Sequence, residues 1–232
     1  MKKELFIQKD PKSPIAEIFR TLRTNLQFMN AKCELKSILI TSTIPGEGKT
    51  WVSSNLAVTF ALAGKRVLII DADMRKGRIA NVFKSRPTPG LSNFLSGVYE
   101  EGSSKKTSVI DFIQATSVEN LFVITAGNVP PNPSELLDQE TLTDMMEKLK
   151  KRFDIIIFDG TPSMLVTDAT IISRVVDTTI IVSAYNLTKK EDLIRVRRNI
   201  ENVGGKIAGV VLNKVPIKGN GYTYGYYYGH EE

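Results

Sequence analysis

The chain has 232 residues, of which 42% are hydrophobic and 24% charged, and its formal net charge is +6 at pH 7. This length predicts one α/β domain with a substantial core, and the single cysteine, Cys33, excludes both an intrachain disulfide framework and a metal site built on cysteine pairs. No apolar run approaches the roughly 18 residues that a membrane helix needs, so we expect a soluble chain. The basic residues are dispersed and not interleaved with aromatic residues, which argues against nucleic-acid binding.

The N-terminal part predicts a polar arm followed by an amphipathic helix. Residues 1–12 are expected to form the arm, and residues 14–29 the helix. Five apolar side chains are predicted to lie on one side of the helix, namely Ile15, Ile18, Phe19, Leu22 and Leu26. On another side a charged stripe consists of Glu17, Arg20 and Arg23. This stripe is either a solvated face with local ion pairs or a contact surface for another subunit.

Residues 37–50 predict a phosphate-binding loop between a strand and a helix. The strand covers 37–42, and the helix begins at Thr50 and continues through Ala61. The connecting loop contains Pro45, Gly46, Glu47 and Gly48, whose glycines let backbone N–H groups surround a polyphosphate at the helix N-terminus. Lys49 can reach the β- and γ-phosphates and Thr50 can bind Mg²⁺. The usual pattern begins with a glycine, and this chain has Thr43 there.

Two further strands are predicted to end in acidic residues. Residues 66–71 form a short apolar strand that ends in Asp71, and Asp73 follows two positions later. The two carboxylates face the same way in extended chain. Residues 153–159 form a second strand, which delivers Asp159 in the manner of a Walker B segment. Open α/β sheets bind ligands at this edge, so these carboxylates are candidates for Mg²⁺ ligands and for a general base.

The remaining elements alternate between helix and strand. Residues 76–120 are hard to interpret beyond a short helix at 90–95 and a surface loop at 100–106. The later elements are a strand at 121–125, helices from about 134, at 142–149, from about 168 and at 189–202, and strands at 178–183 and 207–213. This alternation predicts an α/β chain with the P-loop NTPase fold, a largely parallel sheet covered by helices on both faces.

The last 18 residues differ from the rest in composition. Glycine alternates with tyrosine, which opposes regular structure, so we expect a domain at 1–214 and a flexible tail at 215–232. Five of the seven tyrosines of the chain are in the tail, namely Tyr222, Tyr224, Tyr226, Tyr227 and Tyr228. The tail is either a disordered extension or a phosphoacceptor cluster. His230, near its end, is expected to be solvent-exposed.

Several sequence boxes in this order resemble the bacterial tyrosine kinases of capsule and exopolysaccharide synthesis. The resemblance covers nearly the whole chain and rests on residues 41–50, 68–76, 130–137 and 153–159, together with the tyrosine-rich tail. It implies an ATP- and Mg²⁺-dependent protein-tyrosine kinase that autophosphorylates the tail and regulates polysaccharide synthesis. The stripe of Glu17, Arg20 and Arg23 matches the E-x-x-R-x-x-R helix of the family, which implies self-association into a ring.

The chemistry of phosphoryl transfer suggests a role for each candidate side chain. Lys49 would neutralise phosphate charge, while Thr50, Asp159 and one of Asp71 and Asp73 would hold Mg²⁺ directly or through water. The other of that pair would accept the tyrosine proton, because a phenol of pKa about 10 is a poor nucleophile at neutral pH.

Three more positions are also assigned. Arg75 is a candidate for orienting phosphate or acceptor. Asn213 matches the adenine-contact position of the family. Trp51 stands where smaller residues are usual in the family, and we expect it to pack beside the helix or to contact the nucleotide or a neighbouring subunit. Asp-Thr-Pro-Pro usually follows the Walker B strand in the family, and Gly160 interrupts that pattern here.

The resemblance also implies partners. The chain looks like the separate cytoplasmic kinase subunit, stimulated at the inner face of the membrane by the cytoplasmic tail of a transmembrane polysaccharide co-polymerase. A cognate tyrosine phosphatase is implied as well.

The alternatives are other members of the same broad fold. Partition and division-site ATPases carry a signature lysine where this chain has Ile44, and they lack a tyrosine-rich tail. Scaffold ATPases that carry iron–sulfur clusters need paired cysteines. A nucleotide-dependent scaffold without catalytic activity is a third class that the sequence leaves open.

Overall fold

A computed structural model of the chain describes residues 5–29, 34–97, 108–137 and 139–216. The tail tyrosines, Cys33 and His230 lie outside these ranges, and so do the expectations made for them. The fold class predicted from the sequence is confirmed, because the structure contains a mostly parallel sheet with helices packed on it.

Within the described ranges the chain forms seven strands and nine α-helices. The strands are β1 (Ser37–Ser42), β2 (Val67–Asp71), β3 (Gln114–Ala115), β4 (Leu121–Ile124), β5 (Ile155–Pro162), β6 (Thr178–Ala184) and β7 (Ile207–Asn213). The helices are α1 (Phe6–Lys9), α2 (Pro14–Met29), α3 (Lys49–Ala61), α4 (Ile79–Phe83), α5 (Leu91–Ser96), α6 (Pro133–Leu136), α7 (Gln139–Lys150), α8 (Asp168–Ile172) and α9 (Lys190–Asn202). A 3₁₀ turn covers Val109–Phe112.

The strands form one sheet in the order β3-β4-β2-β5-β1-β6-β7. All neighbouring pairs are parallel except β3 with β4. Strand β1 is therefore central, between β5 and β6, which places the loop that follows it in the middle of the carboxyl edge. Central parallel strands are buried on both faces, and this explains why they appear in the sequence as continuous apolar runs.

Two hydrophobic clusters cover the two faces of the sheet. One contains residues of α1 to α4, and the other contains residues of α5, α7 and α8. Successive side chains of β1 alternate between them, with Ile38 and Ile40 in the first cluster and Leu39 in the second. The predicted cover of helices on both faces is confirmed.

The prediction of a polar arm is wrong for residues 5–9. Residues 6–9 form the short helix α1, in which the side chain of Ile7 is buried, as is that of Leu5 just before it. The backbone N–H of Ile7 donates to Oδ1 of Asn55 on α3 at 3.1 Å. A single helical turn contains too few residues to produce a recognisable hydrophobic period, so the sequence pattern did not indicate it.

Helix α2 has the predicted bounds but not quite the predicted apolar side. Phe19 and Leu26 are buried as expected, whereas Ile18 is 48% exposed. In the charged stripe, Arg20 pairs with Glu17 at 2.6 Å between Nη1 and Oε2. Arg23 donates from Nη1 to the carbonyl oxygen of Thr59 at 3.2 Å, so it ties α2 to α3 within one chain.

Strand β5 is longer than predicted, and Gly160 lies within it. The predicted strand stopped at Asp159, but pairing with β1 continues to Pro162. A Cβ atom at Gly160 would lie 2.7 Å from Cδ1 of Leu39 and 3.2 Å from the carbonyl oxygen of Ile40. The glycine therefore permits close strand packing and does not belong to a turn.

The interval 76–120 contains structure that the sequence pattern did not indicate. Helix α4, the 3₁₀ turn and the antiparallel strand β3 each have five or fewer residues. The predicted short helix at 90–95 is confirmed as α5, displaced by one residue.

Candidate active site

A cavity of about 880 Å³ opens at the carboxyl edge of the sheet, around the loop that follows β1. This is where open parallel sheets bind ligands. The residues that line it are Phe6, Pro45, Gly46, Gly48, Lys49, Thr50, Trp51, Asp73, Arg75, Lys76, Arg78, Val82, Thr161, Pro162, Leu165, Val166, Asn213 and Lys214.

The loop after β1 has the backbone of a phosphate-binding loop. Gly46 and Gly48 have φ angles of 85° and 98°, which side chains other than glycine rarely adopt. A Cβ atom at Gly48 would also collide with the side-chain amide of Asn213. Helix α3 begins at Lys49, one residue earlier than predicted, so its free N–H groups and positive dipole end point at the cavity.

Glu47 is a brace for this loop, and its carboxylate is not directed at a ligand. The side chain is fully buried and accepts from the N–H groups of Thr43 and Ile44 at 2.6 and 2.9 Å, and from the hydroxyls of Thr43 and Thr188. The predicted contribution of residue 47 to nucleotide binding therefore rests on its backbone N–H group. Thr43 needs no glycine conformation, because its φ angle is not positive.

Lys49 and Asp73 form an ion pair on the wall of the cavity. Lys49 Nζ lies 3.3 Å from Oδ2 of Asp73, and the two side chains are only 14% and 10% exposed. The other oxygen, Oδ1, accepts from the N–H of Lys76 at 3.0 Å, which fixes the carboxylate. The pairing holds the ammonium group in place above the N-terminus of α3, where an anionic ligand would meet it.

Asp71 and Asp159 lie side by side beneath the cavity, because β2 and β5 pair them in register. Asp71 accepts from the N–H of Ile79 at 2.9 Å and of Asp73 at 3.3 Å. Burial, followed by the nearby charge of Asp159, raises the pKa of Asp71 to about 7. Burial also raises the pKa of Asp159, while Lys49 opposes this rise.

The surroundings of Asp159 fit a divalent cation. Neither carboxylate oxygen has a well-aligned hydrogen-bond partner among the described residues, and both are buried. The hydroxyls of Thr50 and Ser53 lie close enough to lower its pKa. No three acidic, histidine or cysteine side chains converge in the described part of the chain. Asp159 and its predicted partner from Asp71 and Asp73 therefore do not form a complete set of metal ligands by themselves. Mg²⁺ does not require one, since it keeps several waters.

Arg75 is held at the cavity by two residues that the sequence analysis did not single out. Its guanidinium pairs with the fully buried carboxylate of Asp168 and donates from Nη2 to Oγ of Ser134 at 3.2 Å. The Ser134 hydroxyl in turn donates to Asp168 Oδ1 at 2.6 Å. The segment 130–137 thus positions an arginine of the site. Ser134 belongs to one of the boxes that carry the family resemblance and Asp168 begins a predicted helix, but neither had a predicted role.

Trp51 and Asn213 both line the cavity, as their assignment as nucleotide-site residues requires. The indole of Trp51 also packs edge-to-face on Phe19 of α2, with ring centroids 5.4 Å apart. This agrees with the expectation that it packs beside the helix. Asn213 donates from Nδ2 to the carbonyl oxygen of Glu47 at 2.8 Å, which ties the end of β7 to the loop.

The structure brings together most of the predicted site. Lys49, Thr50, Asp73, Arg75 and Asn213 share the cavity, and Asp71 and Asp159 lie beneath it. The lining also contains residues that the sequence patterns did not indicate as site residues, namely Phe6, Lys76, Arg78, Val82, Thr161, Pro162, Leu165, Val166 and Lys214. The stripe on α2 does not line the cavity.

Comparison with known proteins assigns the class first. Residues 35–208 match the profile of the AAA domain (AAA_31), a range that contains the loop, the three aspartates and Arg75. The sheet order and the loop geometry are those of P-loop nucleotide-binding domains.

Relatives then identify the family. The chain is 41% identical to tyrosine-protein kinase CpsD of Streptococcus pneumoniae serotype 4, over 89% of this chain and 87% of that one. It is 35% identical to tyrosine-protein kinase YwqD of Bacillus subtilis, over 98% and 92%. The solved kinase domain of the Escherichia coli tyrosine kinase ETK superposes with a TM-score of 0.85 at 34% identity, over 96% and 84%. The chain belongs to this family of bacterial tyrosine-protein kinases, and its activity is protein-tyrosine phosphorylation.

These findings confirm the family and the enzyme class that the sequence predicted, in preference to a partition or division-site ATPase. Nucleotide binding is confirmed as a property of the domain. Within the described residues, no helix is both long and apolar enough to cross a lipid bilayer.

Proposed function

We propose that the chain transfers the γ-phosphoryl group of Mg²⁺-bound ATP to the tail tyrosines of a neighbouring copy, and thereby regulates polysaccharide synthesis. One observation carries this proposal. Lys49, held by Asp73, lines a cavity large enough for a nucleotide at a helix N-terminus, and the carboxylate of Asp159, which has no well-aligned partner among the described residues, lies beneath that cavity. This arrangement combines anion binding with a cation site.

Each residue has a defined task in the transfer. The N–H groups of the loop 45–50 and the ammonium of Lys49 bind the phosphates and balance the charge on the moving group. Thr50 and Asp159 are the residues that would hold Mg²⁺, which neutralises phosphate charge when bound. The bond between the γ-phosphorus and the bridging oxygen to ADP breaks, and a bond from phosphorus to the phenolic oxygen forms. The phenolic proton passes to Asp71 or Asp73.

The two acidic residues after β2 differ in ways that an experiment can use. Asp73 lines the cavity and is paired to Lys49, whereas Asp71 lies deeper with a raised pKa. The base is the residue whose asparagine variant loses turnover while Mg²⁺-dependent nucleotide binding stays at the parental level. The other residue belongs to the cation's shell, and its variant loses that binding as well.

Membership of the family supports proposals for the phosphate acceptor, for the assembly and for the partner proteins. We propose a ring of subunits with α2 as the contact, a transmembrane co-polymerase as activating adaptor, and a tyrosine phosphatase that reverses the reaction. The kinase then works in the cytoplasm at the inner face of the membrane. The tail begins after β7, and the tyrosine cluster at 222–228 lies only nine to fifteen residues past Asn213, so we propose that delivery to a neighbour's cavity is easier than return to its own.

A mixing experiment tests the proposal. A Lys49→Met chain with an intact tail is incubated with an active chain truncated after residue 216, in Mg²⁺-ATP, with and without the adaptor's cytoplasmic tail. Mass mapping of phosphotyrosine is expected to place phosphate on the inactive chain, and more so with the adaptor. Absence of phosphate there, together with concentration-independent labelling of the intact active chain, would mean that transfer occurs within one chain.

A further inference from the structure

A closed ring of three side chains lies at the edge of the cavity, and the proposed chemistry uses none of them. Arg75 donates from Nη1 to Oδ2 of Asp168 and from Nη2 to Oγ of Ser134, the latter at 3.2 Å. The Ser134 hydroxyl donates to Oδ1 of Asp168 at 2.6 Å. Each side chain therefore bonds to both of the others. Because both terminal nitrogens of the guanidinium are held at once, its position and its plane are fixed.

The ring joins parts of the chain that are far apart in sequence. Arg75 follows β2, Ser134 is in α6 and Asp168 is the first residue of α8. Asp168 is fully buried, whereas the side chain of Arg75 is 31% exposed and lines the cavity. A buried ion pair adds little net stability, because the loss of hydration offsets the attraction. The ring is therefore better explained by where it holds the guanidinium than by the stability of the fold.

The guanidinium still has donors to offer to a ligand. The ring uses one N–H of Nη1 and one of Nη2, and the other N–H groups of Arg75 have no hydrogen-bond partner in the part of the chain that the structure describes. Asp168 balances the charge of Arg75, so the group acts as a directed donor and not as an excess cation. A planar guanidinium matches the geometry of phosphate oxygens, whereas an ammonium group acts only as a point charge.

The place of Arg75 in the cavity agrees with a contact to phosphate. It shares the cavity with Lys49 and Thr50 at the N-terminus of α3, and it follows the acids at the end of β2. In phosphoryl transfer, charge is spread over the equatorial oxygens of the moving group. A donor that is already oriented when this charge develops stabilises the transition state without reorganisation of the site.

We infer that Arg75 donates to an oxygen of the transferring phosphoryl group, and that Ser134 and Asp168 are positioning residues that act through it. The inference rests on the proposed function and adds α6 and α8 to the elements that serve the transfer. An interaction made mainly in the transition state affects kcat and not ground-state binding. Loss of either positioning residue is therefore expected to lower kcat for autophosphorylation and to leave the KM for ATP unchanged.

Rescue by free guanidinium tests the ring in the full-length kinase. In Arg75→Ala the carboxylate of Asp168 and the hydroxyl of Ser134 are left to bind a guanidinium ion. Guanidinium chloride at millimolar concentration, far below the molar range that unfolds proteins, is expected to restore autophosphorylation about tenfold and to saturate. Urea and sodium chloride are the reagent controls, because urea has a similar planar shape without the charge and the salt supplies only ionic strength. The double variant Arg75→Ala with Asp168→Asn is expected to show no rescue.

Thermal unfolding gives a second readout that does not depend on activity. Arg75→Ala leaves the buried carboxylate of Asp168 without its cation, so the melting temperature of this variant is expected to fall below that of the parent. Guanidinium that binds the folded chain beside Asp168 is expected to raise the melting temperature again at the same millimolar concentrations. The parent and the double variant are expected to show no such rise, since neither offers a free carboxylate there.

The serine has its own arm of the experiment. Ser134→Ala is expected to lower kcat about tenfold, less than the loss of a direct donor to the transition state, and Ser134→Thr to restore most of it. Ser173→Ala is the matched control, because it removes a buried serine hydroxyl, bonded to the carbonyl oxygen of Thr170, just after α8. Asp177→Asn controls for lost stability, since it weakens an ion pair with Lys150 that does not line the cavity.

Three other outcomes would overturn the inference. Parental kcat in Ser134→Ala and Asp168→Asn, with Arg75→Ala inactive, would show that the arginine acts without its ring. A loss of kcat in Asp168→Asn no larger than in Asp177→Asn, or rescue that urea reproduces, would make the ring a structural contact only. Both of these results leave the proposed function standing. A parent that phosphorylates no tyrosine in Mg²⁺-ATP, with or without the adaptor, would refute the proposed function and the inference with it.

Discussion

At the scale of single residues, the ammonium group of Lys49 is paired with the carboxylate of Asp73, and a bound phosphate would compete with that carboxylate for it. Both partners are largely buried, so the lysine is held in position before any ligand arrives. Electrostatic preorganisation of this kind lowers the cost of reorganising the site during transfer.

Lys49→Met is expected to abolish autophosphorylation while the chain stays folded. The lysine belongs to the cavity wall and not to the hydrophobic core, so its loss removes charge and little packing. Phosphotyrosine blotting and thermal unfolding of the parent and the variant measure the two effects, and Lys84→Met serves as control on an exposed turn. Equal phosphotyrosine in Lys49→Met and parent would show that the site is elsewhere.

Asp159→Asn is expected to lower transfer at least about a hundredfold and to raise the melting temperature. The carboxylate is buried without a well-aligned partner among the described residues, so its charge destabilises the folded chain. The charge is offset only when a cation is bound beside it. Mg²⁺ dependence of nucleotide binding should weaken as well. Asp71→Asn and Asp73→Asn are expected to lower transfer to a similar extent.

The control for these three variants is Asp144→Asn, which replaces an exposed aspartate on α7. Parental transfer rates in all three would mean that the carboxylates are structural.

At the scale of elements, Asp177 connects the starts of two strands with a helix. It precedes β6, and its carboxylate accepts from the N–H groups of Lys36 and Ser37 at the start of β1 and from Nζ of Lys150 on α7. Partial burial by itself would raise the pKa of Asp177, but these hydrogen bonds outweigh burial and the pKa is lowered.

Asp177→Ala is therefore expected to cost about 1.5 to 3 kcal/mol of unfolding free energy at neutral pH, the usual scale for hydrogen bonds to a charged group. A lowered pKa means that this stabilisation is present above the ordinary aspartate range and is lost as the pH falls through the folded-state value. Urea unfolding at pH 7 and below about pH 4 measures it, with Asp144→Ala as control. A difference from the parent that stays constant with pH would contradict the assignment.

The short elements are where the sequence prediction failed. Helices α1 and α4 and strand β3 are too short to show a hydrophobic period, and their positions depend on contacts with distant residues such as Asn55. Two of these elements carry residues of the cavity wall, Phe6 and Val82. Sequence patterns therefore could not predict this part of the cavity lining.

At the scale of the whole molecule, the charged stripe on α2 is outside the cavity and remains the predicted subunit contact. Glu17 and Arg20 pair with each other on the surface, while Arg23 bonds to α3. A surface pair contributes little to the stability of one chain, but Arg20 also donates to the carbonyl oxygen of Pro11, so a neighbouring subunit would compete with both contacts for its guanidinium.

Arg20→Ala combined with Arg23→Ala is expected to give a monomer with poor autophosphorylation, and heavy phosphorylation of the parent to cause dissociation. Like charges on crowded phosphotyrosines repel one another and the acids of the site. Light scattering at several concentrations measures the assembly, and Arg198→Ala is the control. Because Arg23 ties α2 to α3 and Arg20 donates to the carbonyl oxygen of Pro11, thermal unfolding of each single variant is needed to separate assembly from folding. A parental oligomer with parental phosphorylation in the double variant would rule out this contact.

The sequence by itself determined the sheet, the phosphate-binding loop and the acids at the strand ends. Continuous apolar runs such as 37–42 and 67–71 are characteristic of strands buried on both faces, and the spacing of Gly46, Gly48 and Lys49 is local backbone chemistry. Such signals depend on neighbours along the chain, so they can be read before the chain is folded.

Only the tertiary structure decided which side chains serve the ligand and which serve the loop. Glu47 lies in the motif yet braces it from beneath, whereas Asp168 is 93 residues from Arg75 and yet holds it at the cavity. Gly160, which departs from the family pattern, is required by the approach of β1. These roles depend on contacts between residues far apart in the sequence, and such contacts exist only once the strands have paired and the helices have packed on them.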